Sequence, residues 1–202
     1  ANVDLAFKYT HPENEMCNAI ISFMIFPEDE SMKDPRLPFN MQSSRLNKKA
    51  FKEVMTEWQD KMDPFGGPVL YWNNHDMARV ASRFGNVEQY RDNSSKMLAT
   101  LMYLQKGIPF IFNGEEIGMR NLHYSDRDHF DTPGAVPFYE KAKQLGYSEK
   151  HILKELNHAG RDVSRGAMQW DSSEFAGFSK VSPWSGVNVE KNYNVADQEK
   201  DP

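Results

Sequence analysis

Apolar and polar positions alternate in blocks along this chain, and the blocks read as strands and helices in turn. Ala19-Ile20-Ile21-Ser22-Phe23-Met24-Ile25-Phe26 is β-branched and aromatic and is closed by Pro27, which predicts a buried strand. Residues 28–42 are polar and contain Pro35 and Pro38, the composition of a loop. From Leu46 to Met62 the apolar residues Phe51, Val54, Met55 and Trp58 recur at helical spacing on one face. Residues 63–68 break that pattern with two prolines and two glycines. Val69-Leu70-Tyr71-Trp72 predicts a short strand that runs into Asn73-Asn74-His75-Asp76.

A second helix is predicted from a cap at Ser94 or Ser95 through Lys106, with Met97, Leu98, Leu101, Met102 and Leu104 as its apolar face and Gly107 at the C′ position. Ile108-Pro109-Phe110-Ile111-Phe112 predicts another buried strand, with Pro109 near its start where a missing N–H is tolerated. It leads to Asn113-Gly114-Glu115-Glu116. Beyond Arg120 strand signals fade. Residues 129–134 read as loop, and Val136–Leu145 and Glu149–Ala159 as two short helices. Residues 166–202 read as a loop-rich tail anchored by Trp170, Phe175, Phe178 and Trp184. Strand, helix and strand in alternation is the signature of parallel βαβ units, whose chemistry sits at the carboxyl ends of the strands. Three credible strands fall short of an eight-stranded barrel, which needs about 250 residues. The pattern therefore fits a small α/β domain or part of a barrel, with no convincing linker.

Composition narrows the partners. At 202 residues the chain can bury one substantial core; 39% of it is hydrophobic and 26% charged. The net charge of -5 is spread without a basic stripe, which excludes a phosphate-tracking surface and argues against nucleic acid. No stretch approaches the about 20 apolar residues of a membrane span, so no membrane partner is expected. The start, Ala1-Asn2-Val3-Asp4, has no basic or apolar signal-peptide region; it also lacks an initiator Met, as a processed chain or one cut from something longer would. Cys17 is the single cysteine, which is compatible with a reducing cytoplasm. Aromatics at 12% suit sugar stacking and an ordinary core alike.

Few residues can carry chemistry. Asp76, fixed at a strand end, could hold charge beside a developing cation, and His75 could donate to a substrate hydroxyl; alternatively Asp76 caps a following helix and His75 packs. Glu115 and Glu116 point to opposite faces in an extended chain and do not form an acid/base pair by themselves; one could bind an arginine or cap a helix. His123, Asp126, Asp128, His129 and Asp131 cluster in sequence but match no zinc spacing, so no metal and no cofactor is expected. There is no glycine-rich phosphate loop and no serine nucleophile elbow. Arg161 and Arg165 precede Trp170 in a loop, where surface arginines are the rule, although such forks also suit hydroxyls and carboxylates.

Taken in order, several segments resemble glycoside hydrolase family 13, in particular its oligo-1,6-glucosidase, dextran glucosidase and trehalose-6-phosphate hydrolase group. They are Tyr71-Trp72-Asn73-Asn74-His75-Asp76, then Arg79 and Ser82-Arg83-Phe84-Gly85-Asn86, Tyr90-Arg91, and Lys96-Met97-Leu98-Ala99. Gly107-Ile108-Pro109, Gly114-Glu115-Glu116-Ile117-Gly118-Met119, Gly160-Arg161-Asp162, Met168-Gln169-Trp170-Asp171 and Ala176-Gly177-Phe178 continue the series, and Asn14-Glu15-Met16 fits before the first strand.

The resemblance implies that residues 1–202 are an incomplete α/β domain, the C-terminal portion of a TIM (β/α)8 barrel with strands roughly six to eight and the loops and helices after them. It implies a retaining α-glucosidase acting on oligosaccharides or disaccharides, in which a nucleophile and an acid/base carboxylate are joined by a third that stabilises the transition state. Asp76 corresponds to that third carboxylate. His75, Asn74 and Arg79 accompany it as substrate-binding residues, and Arg161 resembles the arginine that reads the non-reducing end.

The nucleophile's Arg-x-Asp and the acid/base Glu have no counterpart in this sequence. Met77-Ala78 and Gly166-Ala167 depart from the family's usual Gln-Pro or Leu-Pro and Thr-Pro. The chain alone is thus expected not to hydrolyse glycosides. The favoured linkage is α-1,6, in a cytoplasmic enzyme. A trehalose-6-phosphate hydrolase or a sucrose isomerase on the same scaffold, or a non-enzymatic transporter heavy chain, are the alternatives.

Overall fold

The structure is a computed structural model that describes residues 2–63, 67–188, 190 and 193–200. In chain order its regular elements are helices α1 (Val3–Thr10) and α2 (Lys48–Met62), strand β1 (Val69–Leu70), helices α3 (Val80–Phe84) and α4 (Arg91–Tyr103), strand β2 (Ile108–Pro109), and helices α5 (Ala135–Gln144), α6 (Glu149–Ala159) and α7 (Val195–Gln198). Short 3-10 turns punctuate the connections. The strands β1 and β2 are parallel, with Val69 opposite Ile108 and Leu70 opposite Pro109. The Ile108 N–H donates to the Pro68 carbonyl at 3.1 Å and the Phe110 N–H to the Leu70 carbonyl at 2.8 Å. With α3 and α4 as the crossover, this is one parallel βαβ unit.

Local sequence explains the helices. The Asn47 side chain accepts from the Ala50 N–H at 3.1 Å and starts α2, whose buried stripe is Phe51, Met55, Trp58 and Met62, spaced by four, three and four. Ser148 caps α6 through the His151 N–H at 3.3 Å, and Ile152 and Leu156 are fully buried.

The strand readings need correction. The segment predicted as a strand from Ala19 to Phe26 makes one ladder-like bond, from the Val69 N–H to the Ile20 carbonyl at 3.1 Å, and then turns into a 3-10 helix at Phe23–Ile25. The Ser22 carbonyl accepts the Tyr71 hydroxyl at 3.0 Å, so a side chain takes an acceptor that a ladder would use. Ile21 and Phe23 are exposed, while Ile25 and Phe26 are buried. β2 is likewise shorter than predicted, and Ile108, Phe110 and Ile111 are about half exposed rather than buried. Its one strand neighbour among the described residues is β1.

In α4 the buried residues include Leu98 and Met102, whereas Met97, Leu101 and Leu104 face outward. This helix begins at Arg91 without a side-chain cap. Ser94 instead accepts the Asn86 N–H at 3.0 Å. Gly107 is not its C′ residue, since Leu104 ends the helix. A Cβ at Gly107 would lie 2.5 Å from the Pro68 carbonyl oxygen, so glycine there permits the close approach of β2 to β1.

Two large apolar cores result, with a smaller cluster of Ile117, Met119 and Met168 beside them. One gathers Ile25, Phe51, Trp58, Leu70, Trp72, Val80, Leu98 and Met102. The other gathers Leu37, Ala78, Phe130, Phe138, Ile152, Leu156 and Val163. The segment after β1 crosses between them: Ala78 belongs to the second core and Val80 to the first.

Candidate active site

The loop from Asn73 to Arg79 is held by side chains rather than by a ladder. Asn73 is buried, and its Oδ1 accepts the Val80 N–H at 2.5 Å, which starts α3. The Asn74 Oδ1 accepts the Asp76 N–H at 2.8 Å in a turn of the kind asparagine favours. The Arg79 N–H donates to Asn121 Oδ1 at 2.7 Å, and Asn121 Nδ2 donates to the Asn157 carbonyl at 2.9 Å. The loop is thereby tied to the end of α6, far along the chain.

Asp76 does not cap a helix: α3 has Arg79 at its N-cap position with no side-chain bond, and Asn73 meets the Val80 N–H. Nor does His75 pack, since its side chain is 72% exposed. Asp76 faces solvent and gathers cations. Arg161 Nη1 donates to Asp76 Oδ1 at 2.9 Å, and Arg165 Nη2 lies 3.7 Å from the same oxygen. His75 Nε2 lies 3.5 Å from Asp76 Oδ2. Arg165 Nε also donates to the His75 carbonyl at 2.9 Å. The sequence expectations for Asn74, His75, Asp76 and Arg161 therefore describe residues that come together, and Arg165 joins them.

Arg79 is the exception. It is 2% exposed, its Nη1 donates to the Asn113 carbonyl at 3.0 Å, and its guanidinium lies 5.0 Å from the centre of the Phe112 ring. Burial pushes its pKa down to about 10, with Glu115 and Glu116 pulling the other way. The expectation that it binds substrate is corrected: an arginine sealed beneath the loops after both strands positions backbone and has no free face for a ligand.

Glu115 belongs to the same support. Its carboxylate accepts from the Tyr103 hydroxyl at 2.7 Å and the Phe112 N–H at 3.2 Å, and it is hydrogen-bonded by Asn73. Burial raises it above the usual carboxylate range, and the bonds from Asn73 and Tyr103 oppose that. The sequence reading left open whether Glu115 or Glu116 binds an arginine or caps a helix, and it missed Asn73 and Asn121, the two buried asparagines that fix the loop. A polar residue directly after an apolar strand run was the available signal for Asn73.

The His/Asp cluster resolves into pairs: His129 Nδ1 lies 2.8 Å from Asp126 Oδ1, and the His129 ring stacks on Tyr124 at 4.7 Å. Among the described residues no three His, Cys, Asp or Glu side chains are grouped to hold a metal ion, and no helix is long and apolar enough to cross a membrane. A groove of about 1430 Å³ lies elsewhere, lined by Met55, Leu98, Leu101 and Tyr147 from α2, α4 and the approach to α6. It includes none of Asn74, His75, Asp76 or Arg161. The strand-end loop remains the candidate site, because in parallel α/β folds the chemistry is carried by residues beyond the strand ends and not by the outer helix faces.

The profile of the family described as "Alpha amylase, catalytic domain" matches residues 1–202. The chain belongs to the alpha-amylase catalytic-domain family. Within this family, glycoside hydrolase family 13, it is 35% identical over 201 residues to an oligo-1,6-glucosidase of Halalkalibacterium halodurans, a match covering 99% of this chain and 35% of that protein. It is 34% identical over 202 residues to a trehalose-6-phosphate hydrolase of Bacillus subtilis, covering 98% and 34%.

Among solved structures, the trehalose-6-phosphate hydrolase of Bacillus licheniformis superposes with a TM-score of 0.86 at 30% identity, over 100% of this chain and 36% of that one. An isomaltulose synthase mutant from Erwinia rhapontici NX5 superposes with a TM-score of 0.81 at 27% identity, over 100% and 36%. The chain thus spans about a third of the length of these relatives. The fold of this alpha-amylase-family chain is part of a TIM (β/α)8 barrel, as the family resemblance implied. The transporter heavy chain finds no support among these matches.

Proposed function

We propose that the protein carrying this chain is a retaining α-glucosidase that cleaves oligosaccharides or disaccharides, with α-1,6 bonds of isomalto-oligosaccharides or dextran ends as the favoured substrates. Asp76 is its transition-state carboxylate. One arrangement carries the reading: both arginines converge on Oδ1 of a partly exposed Asp76, while Oδ2 lies beside His75. A carboxylate oriented in this way can grip two sugar hydroxyls and stabilise the oxocarbenium-like charge that develops as the glycosidic bond breaks. His75 donates to the same sugar. Arg161 anchors the carboxylate and reads the non-reducing end, and Asn74 fixes the turn.

No cofactor is required. The nucleophile and the acid/base come from other parts of the barrel, so the 202 residues alone do not turn over substrate. A cytoplasmic setting accords with the single, free cysteine. In the full-length enzyme, Asp76→Asn lowers kcat on isomaltose and on a nitrophenyl α-glucoside by about 10²- to 10³-fold with the fold intact. A variant that keeps activity within roughly a factor of ten of wild type removes Asp76 from catalysis.

The second reading, a trehalose-6-phosphate hydrolase, is supported by the TM-score of 0.86 to such an enzyme. Side-by-side kcat/KM values on isomaltose and trehalose 6-phosphate decide between the two. Rearranged rather than hydrolysed sucrose would identify an isomerase.

A further inference from the structure

Arg165 ends a 3-10 turn, Asp162–Ser164, that begins at Arg161. The middle of that turn is bolted into the second core. Val163 and Ser164 are fully buried, and the Val163 carbonyl accepts the Leu122 N–H at 2.8 Å. Asp162 is buried and accepts the Thr132 hydroxyl at 2.7 Å and the Thr132 N–H at 3.2 Å. Two arginines are thus mounted at either end of a rigid support, and both reach the same strand-end loop.

Their reach differs. Arg161 touches the Asp76 carboxylate alone at hydrogen-bond distance, 2.9 Å. Arg165 spends its shortest bond, 2.9 Å from Nε, on the backbone carbonyl of His75, and its Nη2 stands 3.7 Å from Asp76 Oδ1. The loop has no strand ladder at this point, so the peptide between His75 and Asp76 is held from one side by the Asn74 turn and from the other by Arg165. A planar guanidinium can bond a carbonyl through one edge while placing charge beside a carboxylate; an ammonium is a single point charge and cannot span both.

We infer that Arg165 is a positioning residue, which fixes the His75–Asp76 peptide and so aims the Asp76 carboxylate. The inference rests on the reading of Asp76 as the transition-state carboxylate. It separates the two arginines by role: Arg161 on the side chain, Arg165 on the backbone beneath it.

The test uses the full-length enzyme with Arg165→Gly and Arg165→Lys. A carboxylate displaced by about an ångström costs on the order of 10²-fold in rate. Arg165→Gly is expected to lower kcat by about 10- to 100-fold with KM little changed. Guanidinium chloride at sub-denaturing concentration restores part of that kcat, and Arg165→Lys recovers less than the added ion does. Hydrogen exchange in a peptide spanning residues 74–77 speeds up in Arg165→Gly, while the thermal midpoint stays near that of wild type.

A raised KM with unchanged kcat overturns the inference in favour of direct sugar contact. A lowered thermal midpoint with no guanidinium rescue overturns it in favour of a general packing role. Unchanged exchange at residues 74–77 overturns it whatever the activity. If wild type and Asp76→Asn prove equally active, the functional reading falls, and the exchange experiment still decides whether Arg165 anchors the loop.

Discussion

Replacing Asn73 by alanine removes the point at which β1, α3 and the exit of β2 meet. Asn73 Oδ1 is the acceptor for the Val80 N–H at 2.5 Å, and its side chain hydrogen-bonds the buried Glu115 carboxylate. Each buried group left without its partner costs about 1–3 kcal/mol. The two losses share one residue and need not add. A cavity of about 30 Å³ lined by Asn73, Val80, Ser95 and Glu115 adjoins the side chain. That exceeds the about 10–15 Å³ a water needs, so a water in the enlarged space recovers part of the loss. The net expectation for Asn73→Ala is about 2–3 kcal/mol. Asn73→Leu fills the same space with carbon, admits no water and leaves both groups unpaired, at about 4 kcal/mol.

Hydrogen exchange at the Val80 amide reads this directly. Protection falls about 100-fold in Asn73→Ala, since each 1.4 kcal/mol is a factor of ten, and further in Asn73→Leu. Without the Asn73 bond, Glu115 titrates still higher than in wild type, because a bond that favours its ionised form is gone. Unchanged protection in Asn73→Ala, or a leucine variant milder than the alanine one, refutes the view that unsatisfied polar groups control this junction.

Two further outcomes follow from the same region and its neighbour. Gly114 has φ +90°, and a Cβ there would sit 2.2 Å from Met119 Sδ and 3.1 Å from Arg79 Nη1; Gly114→Ala therefore costs about 1–3 kcal/mol and lowers the thermal midpoint, and an unchanged midpoint contradicts the strain. His158 is held below the ordinary histidine pKa by burial first, with Arg83 and Lys154 adding to the effect and Glu155 and Glu28 opposing it. The unfolded chain then binds the proton more readily, so stability is full above pH 6.5 and is lost as pH falls below it. His158→Gln should flatten that limb of the melting-temperature profile, and a profile still falling as steeply in the variant assigns it to other groups.

Periodicity made the longer helices with an apolar stripe legible: α2 and α6 lie within a residue or two of their expected bounds, whereas α1 and the short α3 and α7 were not expected. Strands were less legible, for a physical reason. An apolar run such as Ala19–Phe26 predicts burial, but a ladder also needs the run's own carbonyls to be free for a neighbour, and the Tyr71 hydroxyl takes that of Ser22. The acidic member of the site was legible by resemblance, yet composition alone could not separate a capping Asp76 from a catalytic one. The structure removes the capping role, since the Val80 N–H at the start of α3 goes to Asn73 and not to Asp76. Arg79 was named as a substrate-binding residue through the resemblance, while its burial depth was invisible; the sequence does not state that Phe112 and Glu115 would close over it.

The position of Asp76 is fixed mostly by residues that follow it at long range. Asn121 and the α6 terminus hold Arg79, and the turn from Arg161 to Arg165 holds Asp76 and its preceding carbonyl. These supports lie in the stretch after Arg120 where strand signals fade and the sequence reads as helices and loops. Its role is clear once the two cores are considered together. Ala78 packs with Val163 and Leu156 in the second core, and Val80 two residues later packs with Trp72 and Leu98 in the first. A change that loosens α6 from the second core should therefore be felt at Asp76 even though it leaves β1 and β2 untouched. The strand delivers the chain to the site, and the helices and turn beyond the barrel strands set the angle of the carboxylate.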